Sequence, residues 1–240
     1  MNESNFYEQD RALEQIGAGE SLQRYTAKTF LWMFLGLAIT FGVALGGYAT
    51  SLTVRLLISV PYFHLIVLVA ELAVVLVLAA RITKLSVGAA RALFLAYAVL
   101  TGIVFSTYFL VFEVMSMVLV FGVTALYFGV MALFGYFTTM DLSRIRTILV
   151  GGLLFLIAFG VLSLFIPALG AMDRMYCLIG IAVFLAFTAY DTQKVKHLYY
   201  GFAGNEAMLA KASIYSALQL YLDFINLFLY LLRFLGRRKN

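Results

Sequence analysis

Charge is what this chain has least of: Asp, Glu, Lys and Arg make up 12% of its 240 residues, while 64% are hydrophobic. A soluble domain carries about 25% charged and roughly 45–50% apolar residues, so a water-soluble fold is excluded. Cysteine is nearly absent too. Cys177 stands alone, which rules out an intramolecular disulfide, and its place in an apolar run reads as small-residue packing. The first 26 residues lack a basic n-region followed by a short apolar stretch; they are polar and acid-rich (Glu3, Glu8, Asp10, Glu14, Glu20). Residues 1–26 are therefore read as an uncleaved cytoplasmic tail. No internal repeat is visible, and no soluble insert divides the apolar runs. The net charge of +5 does not mark nucleic-acid binding, because the basic residues lie in short clusters between apolar segments, where they act as topology signals.

What is present is a series of long apolar runs, roughly 29–49, 60–80, 90–111, 113–138, 147–167, 175–193 and 213–234. Each is near the 20 or so residues that a membrane-spanning helix needs. The expected fold is an all-α polytopic membrane protein: seven transmembrane helices in one domain over 27–236, then a basic C-terminal tail at 237–240. With the N-terminus inside, the second, fourth and sixth loops carry Arg81, Lys84 and Arg91; Arg144 and Arg146; then Lys194, Lys196 and Lys211. The other loops hold only Arg55 and Arg174, as the positive-inside rule requires. The rule breaks at the last segment, where Arg233, Arg237, Arg238 and Lys239 would lie outside. Either seven full spans override that cluster, or the last segment is re-entrant and returns the C-terminus to the inside. The seven-span reading is adopted here. Gly42 and Gly46 form a GxxxG that suits close helix packing or is simply ordinary membrane glycine.

The last run, LYLDFINLFLYLLRFLG over 220–236, contains an aspartate. A carboxylate at the centre of a bilayer costs about 2.5–3.5 kcal/mol on insertion scales. Asp223 therefore needs a partner, a proton or a water-filled cavity. Ser216, Gln219, Asp223, Asn226 and Tyr230 follow one another in steps of three and four, which places them on one helical face. Lipid would penalise that face along its length, so the last helix is expected to be surrounded by the others. A stripe that only hydrogen-bonds neighbouring helices is the simpler alternative, although packing gains nothing from a carboxylate.

The preceding run ends in FTAYDTQKVKH, which carries the other deep acid, Asp191. Two antiparallel helices bring Asp191 and Asp223 to similar depth if the second begins well inside the loop. Carboxyls in contact cannot both ionise cheaply, so such a pair would share a proton and clasp two helices. Two carboxylates also suit a hard divalent cation such as Ca²⁺. Two independently solvated acids are the alternative.

AYDTQKVKH followed by LQLYLDFINLFLYLLRFLG resembles the signature of the Bax inhibitor-1 family (the transmembrane Bax-inhibitor-motif proteins), in its bacterial members. The similarity covers nearly the whole chain and is most specific in the last two helices. It implies a seven-helix fold with the last helix central, in the bacterial inner membrane. It also implies a pH-dependent calcium leak, with Ca²⁺ as the transported or bound ion and no resident cofactor. Asp191 and Asp223 match the family's pH-sensing dyad. A second-helix arginine is proposed in the family to latch that dyad, and Arg81 matches it, with Lys84 as the alternative. The interval through HLYYGFAGNEAMLAK is longer than in compact bacterial relatives.

Glu71, in VLVAELAVVL, either lines the cation path or is a buried structural acid. His64 reads as interfacial, Glu113 as a solvated turn residue, and Arg144 and Arg146 as anchors. Ser216, Gln219, Asn226 and Tyr230 are candidate pore-lining residues. Three functional classes remain in view. The first is a proton-regulated calcium leak, with proton-coupled exchange as its near relative. The second is an interaction protein that modulates a membrane protease or stress factor through the acidic tail. The third, an intramembrane aspartyl protease, is disfavoured because LYLDF lacks the glycines that admit a substrate backbone, so no enzyme activity is expected.

Overall fold

Helix boundaries follow the few polar residues available as caps. In the computed structural model, which describes residues 20–239, α1 (Leu22–Ala49) starts where the Ser21 hydroxyl accepts the Arg24 amide at 3.4 Å. A short α2 (Leu52–Ser59) follows, flanked by Ser51 and Tyr62 in left-handed backbone, and leads into α3 (Phe63–Arg81). The Ser86 hydroxyl accepts the Ala89 amide at 3.1 Å to start α4 (Val87–Val111), and α5 (Val114–Phe137) comes next. A 3-10 turn (Leu142–Ile145) opens α6 (Arg146–Ser163). A second 3-10 turn (Pro167–Met172) opens α7 (Asp173–Phe202). Gly204, at φ 85°, makes the sharp reversal that few other residues tolerate. Asn205 then accepts the Met208 amide at 3.0 Å and starts α8 (Glu206–Leu235).

Six helical segments among the described residues are long and apolar enough to cross a membrane: α1, α4, α5, α8, and α6 and α7 with their leading turns. The second expected span corresponds to α3, of 19 residues, which is not among those six. Most of the expected 1–26 tail, residues 1–19, lies outside the described residues. Its last residues are already helical, with Tyr25 fully buried, because Ser21 caps the helix before the apolar run begins. Residues exposed on the outer faces include Leu65, Leu72, Leu119, Leu126, Ile148 and Leu154. Water-soluble proteins rarely expose apolar surface on this scale; lipid accepts it.

α8 sits at the centre. Over its most apolar stretch 56% of residues are buried, against 11% for α6 at the periphery. It packs on α1, α4, α5 and α7. Phe228 meets the rings of Phe105 at 5.6 Å and Phe41 at 5.9 Å, and Phe224 meets Phe128 at 5.5 Å. Packing of this kind, with interhelical hydrogen bonds, holds bundles together where lipid removes most of the hydrophobic drive.

α8 is also unbroken and runs parallel to α1. Thr29 and Ser213 share a hydrogen bond at 3.0 Å near the start of both helices, and Thr40 and Tyr221 share one at 2.6 Å further along. Beyond α8 the chain docks on the opposite end of the bundle. Glu113 N donates to Arg237 O at 3.0 Å, and Lys239 N donates to Val111 O at 2.9 Å. Lys239 Nζ donates to Phe109 O at 2.8 Å and to the Tyr48 hydroxyl at 3.0 Å, at the end of α1. The last helix thus runs along the bundle without a break and ends opposite the start of α1, as a full span would.

Candidate functional site

Asp191 and Asp223 meet inside the bundle. α7 continues to Phe202 and α8 begins at Glu206, so both helices pass each other well beyond the apolar runs. That overlap brings the carboxyls to one level, within hydrogen-bonding reach of each other. Asp191 is 6% exposed and Asp223 4%. Asp191 Oδ1 and Asp223 Oδ2 are buried with no hydrogen-bond donor among the described residues. Buried oxygens of this kind ordinarily find partners, so the two carboxyls form an incompletely satisfied site.

A cation stands at its edge. Lys194 Nζ lies 3.8 Å from Asp191 Oδ1 and donates to Gln219 Oε1 at 3.1 Å. The neighbouring Gln193 anchors this end of α7: its Oε1 accepts the Leu142 amide at 2.9 Å and its Nε2 donates to Met140 O at 2.7 Å. Gly135 on α5 lets the backbones of α5 and α7 touch at Ala189, one residue short of Tyr190-Asp191.

The expected stripe is distributed along α8. Ser216 is buried beside Tyr25, while Gln219 faces Lys194 and so joins the edge of the pair. Asn226 donates to Leu222 O at 2.8 Å and thus satisfies its own helix. Tyr230 lies further out, over Gly180, and donates to the Tyr176 hydroxyl at 3.1 Å, which donates to Leu156 O at 3.0 Å. Glu71 is half-buried on α3 and adjoins Thr101, in a cluster with Tyr97 and Tyr221 that is separate from the pair. Arg81 and Lys84 are exposed at and beyond the end of α3 and make no ion pair among the described residues. Glu113 is exposed in the α4–α5 turn.

Sequence reasoning placed Lys194 in a loop, as a topology signal. Its spacing of three from Asp191 on a continuing helix was the available clue. It also missed the ion pair of Arg233 with Asp173, which joins the end of α8 to the start of α7. No group of three or more His, Cys, Asp or Glu side chains gathers among the described residues. A divalent ion at Asp191 and Asp223 would therefore take its remaining oxygens from Gln219 and water. Calcium binds six to eight oxygens, so two carboxylates and one amide oxygen would hold such an ion only weakly.

The whole described chain from the first helix onward matches the family described as inhibitor of apoptosis-promoting Bax1, over residues 22–240. The chain is 39% identical over 219 residues to the inner membrane protein YbhL of Escherichia coli, covering 91% of this chain and 93% of that protein. It is 38% identical over 229 residues to a protein of Rickettsia prowazekii, covering 92% of each. A protein of Deinococcus radiodurans is 36% identical over 225 residues, covering 93% of this chain and 95% of its own length. An all-helical bundle around its last helix, and a match over nearly its full length, place this integral membrane protein in the Bax inhibitor-1 family.

Proposed function

We propose that the protein is a pH-sensitive calcium leak channel of the bacterial inner membrane, gated by a proton shared between Asp191 and Asp223. The observation that carries this reading is the meeting of two buried carboxyls from α7 and α8, each with an oxygen lacking a donor. One proton between them supplies that donor and clasps α7 to the central helix. Its loss leaves two like charges in contact, which repel and favour separation of the helices. The separated carboxylates are then oxygen ligands for an entering cation. Weak binding at such a seat is what conduction requires, since an ion must leave as well as enter.

The topology belongs to the same proposal. α3 at about 1.5 Å per residue is roughly 28 Å long, close to the hydrocarbon thickness of about 30 Å, and completes seven spans. The end of the bundle that holds the start of α1 also carries Lys28, Lys84, Arg144, Lys196 and Lys211, which supports a cytoplasmic N-terminus. The printed name of the Escherichia coli relative supports the inner membrane.

The test is calcium flux into liposomes that hold the purified protein, scanned from roughly pH 5 to 8, which brackets the range over which paired carboxyls titrate. Flux should rise with pH, and Asp191→Asn, Asp223→Asn and the double variant should lose that pH response. A pH response that survives in the double variant removes the pair from gating.

A further inference from the structure

Lys194 is held at the mouth of the carboxyl pair from several directions at once. Its Nζ lies 3.8 Å from Asp191 Oδ1, donates to Gln219 Oε1 at 3.1 Å, and stands 5.9 Å from the Tyr190 ring and 5.5 Å from the Tyr215 ring. Its charge bears on both Asp191 and Asp223. At 3.8 Å it approaches Asp191 Oδ1 without hydrogen-bonding it, and Asp223 Oδ2 also lacks a donor. Asp191 Oδ1, an oxygen open to an entering cation, is thus one that Lys194 now faces. Arg146, at the start of α6, is the other cation near the same two tyrosines.

We propose that the Lys194 ammonium is a tethered counter-ion for the Asp191–Asp223 seat, which a divalent cation must displace, so that Lys194 sets how weakly the seat holds calcium. The inference rests on the reading of that pair as the cation site. A divalent ion and an ammonium a few ångströms apart repel strongly in so buried a place. Displacement also frees Gln219 Oε1, an oxygen ligand that suits calcium. The two tyrosine rings offer the displaced ammonium a resting place through their negative faces, so it need not reach bulk water. Removing the charge should then tighten calcium binding, while keeping it on an arginine should not.

Calcium binding to the purified full-length protein, measured by equilibrium dialysis at about pH 9, isolates this effect because proton competition at the carboxyls is then small. Lys194→Met and Lys194→Gln should lower the half-saturating calcium concentration about tenfold, or ~1.4 kcal/mol. Lys194→Arg should stay near wild type. Folded neutral variants that bind calcium like wild type overturn the role of Lys194. If binding is lost in the Asp191→Asn/Asp223→Asn double variant at the same time, the seat itself stands and only the lysine role falls. If the double variant binds like wild type, the seat and the lysine role fall together. The unmodified protein gives a second readout that needs no variant to fold. Calcium should shift the side-chain nitrogen resonance of Lys194 and leave Lys211, buried against Thr83 O at 2.7 Å, unmoved. A Lys194 resonance that does not respond to saturating calcium overturns the proposal.

Discussion

Gly135 on α5 and Ala189 on α7 meet with no room for a methyl group: a Cβ at 135 would overlap the Ala189 carbonyl. Backbone cannot swing aside as a side chain can, so Gly135→Ala must push the two helices apart. Overpacking of this kind costs about 1–3 kcal/mol. The variant should melt earlier in detergent, and because Ala189 lies two residues before Asp191, its pH response in flux should shift as well. At the exposed turn before α6, the Ser143 hydroxyl and amide hold the Asp141 carboxyl below its usual range, the amide at 3.0 Å. The sign follows from a lowered folded-state value: this contribution is full above the unfolded value near 3.9 and fades only as pH falls through the folded one. An NMR titration of Asp141 should therefore show a midpoint below about 3.9. A midpoint at or above that figure contradicts the contact. Among single residues, Asp223 and Asp191 were legible in the sequence because a carboxylate in an apolar run is too costly to be incidental. Lys194 was not, since a lysine that ends an apolar run looks the same whether the helix stops or continues.

α8 is an element that packs on all sides yet stays polar along part of one face. Its hydroxyl contacts are few and specific: Tyr221 with Thr40, Ser213 with Thr29, and Tyr230 with Tyr176. Tyr221→Phe removes the first while Thr40 keeps its bond to Ala98 O at 2.9 Å, so no buried donor is stranded. The cost should be about 0.5–1.5 kcal/mol in a melting experiment, and a loss well beyond that range would mean Tyr221 supports more than α1. The stripe from Ser216 to Tyr230 could be read from spacing, and so could the inference that this helix is enclosed. Its true start could not. Residues 206–212 read as loop by hydropathy, and the Asn205 cap with Gly204 before it sets the boundary. α2 was invisible for a related reason: eight residues with Arg55 among them carry too little periodicity to register.

At the scale of the molecule, the parallel course of α1 and α8 places Glu20 and Lys239 at opposite ends of the bundle. Single cysteines at Glu20 and at Lys239, in a Cys177→Ser background, should be labelled by an impermeant maleimide from opposite sides of a sealed vesicle. Labelling of both from one side would contradict an odd number of crossings. The number of apolar runs suggested this arrangement, but the charge pattern argued against it. The conflict is relieved locally: Arg233 pairs with Asp173, and Lys239 is bound by Phe109 O and the Tyr48 hydroxyl and ring. Those contacts join residues far apart in sequence and leave no local trace in it.

The same parallel pairing sets an order of assembly. Among the described helices α1 is made first and α8 last, and the partners of Thr29 and Thr40 are Ser213 and Tyr221. Until α8 has been made, Thr29 and Thr40 lack these partners, and Asp191 on α7 lacks Asp223. A chain that stops before α8 therefore lacks the helix on which α1, α4, α5 and α7 pack.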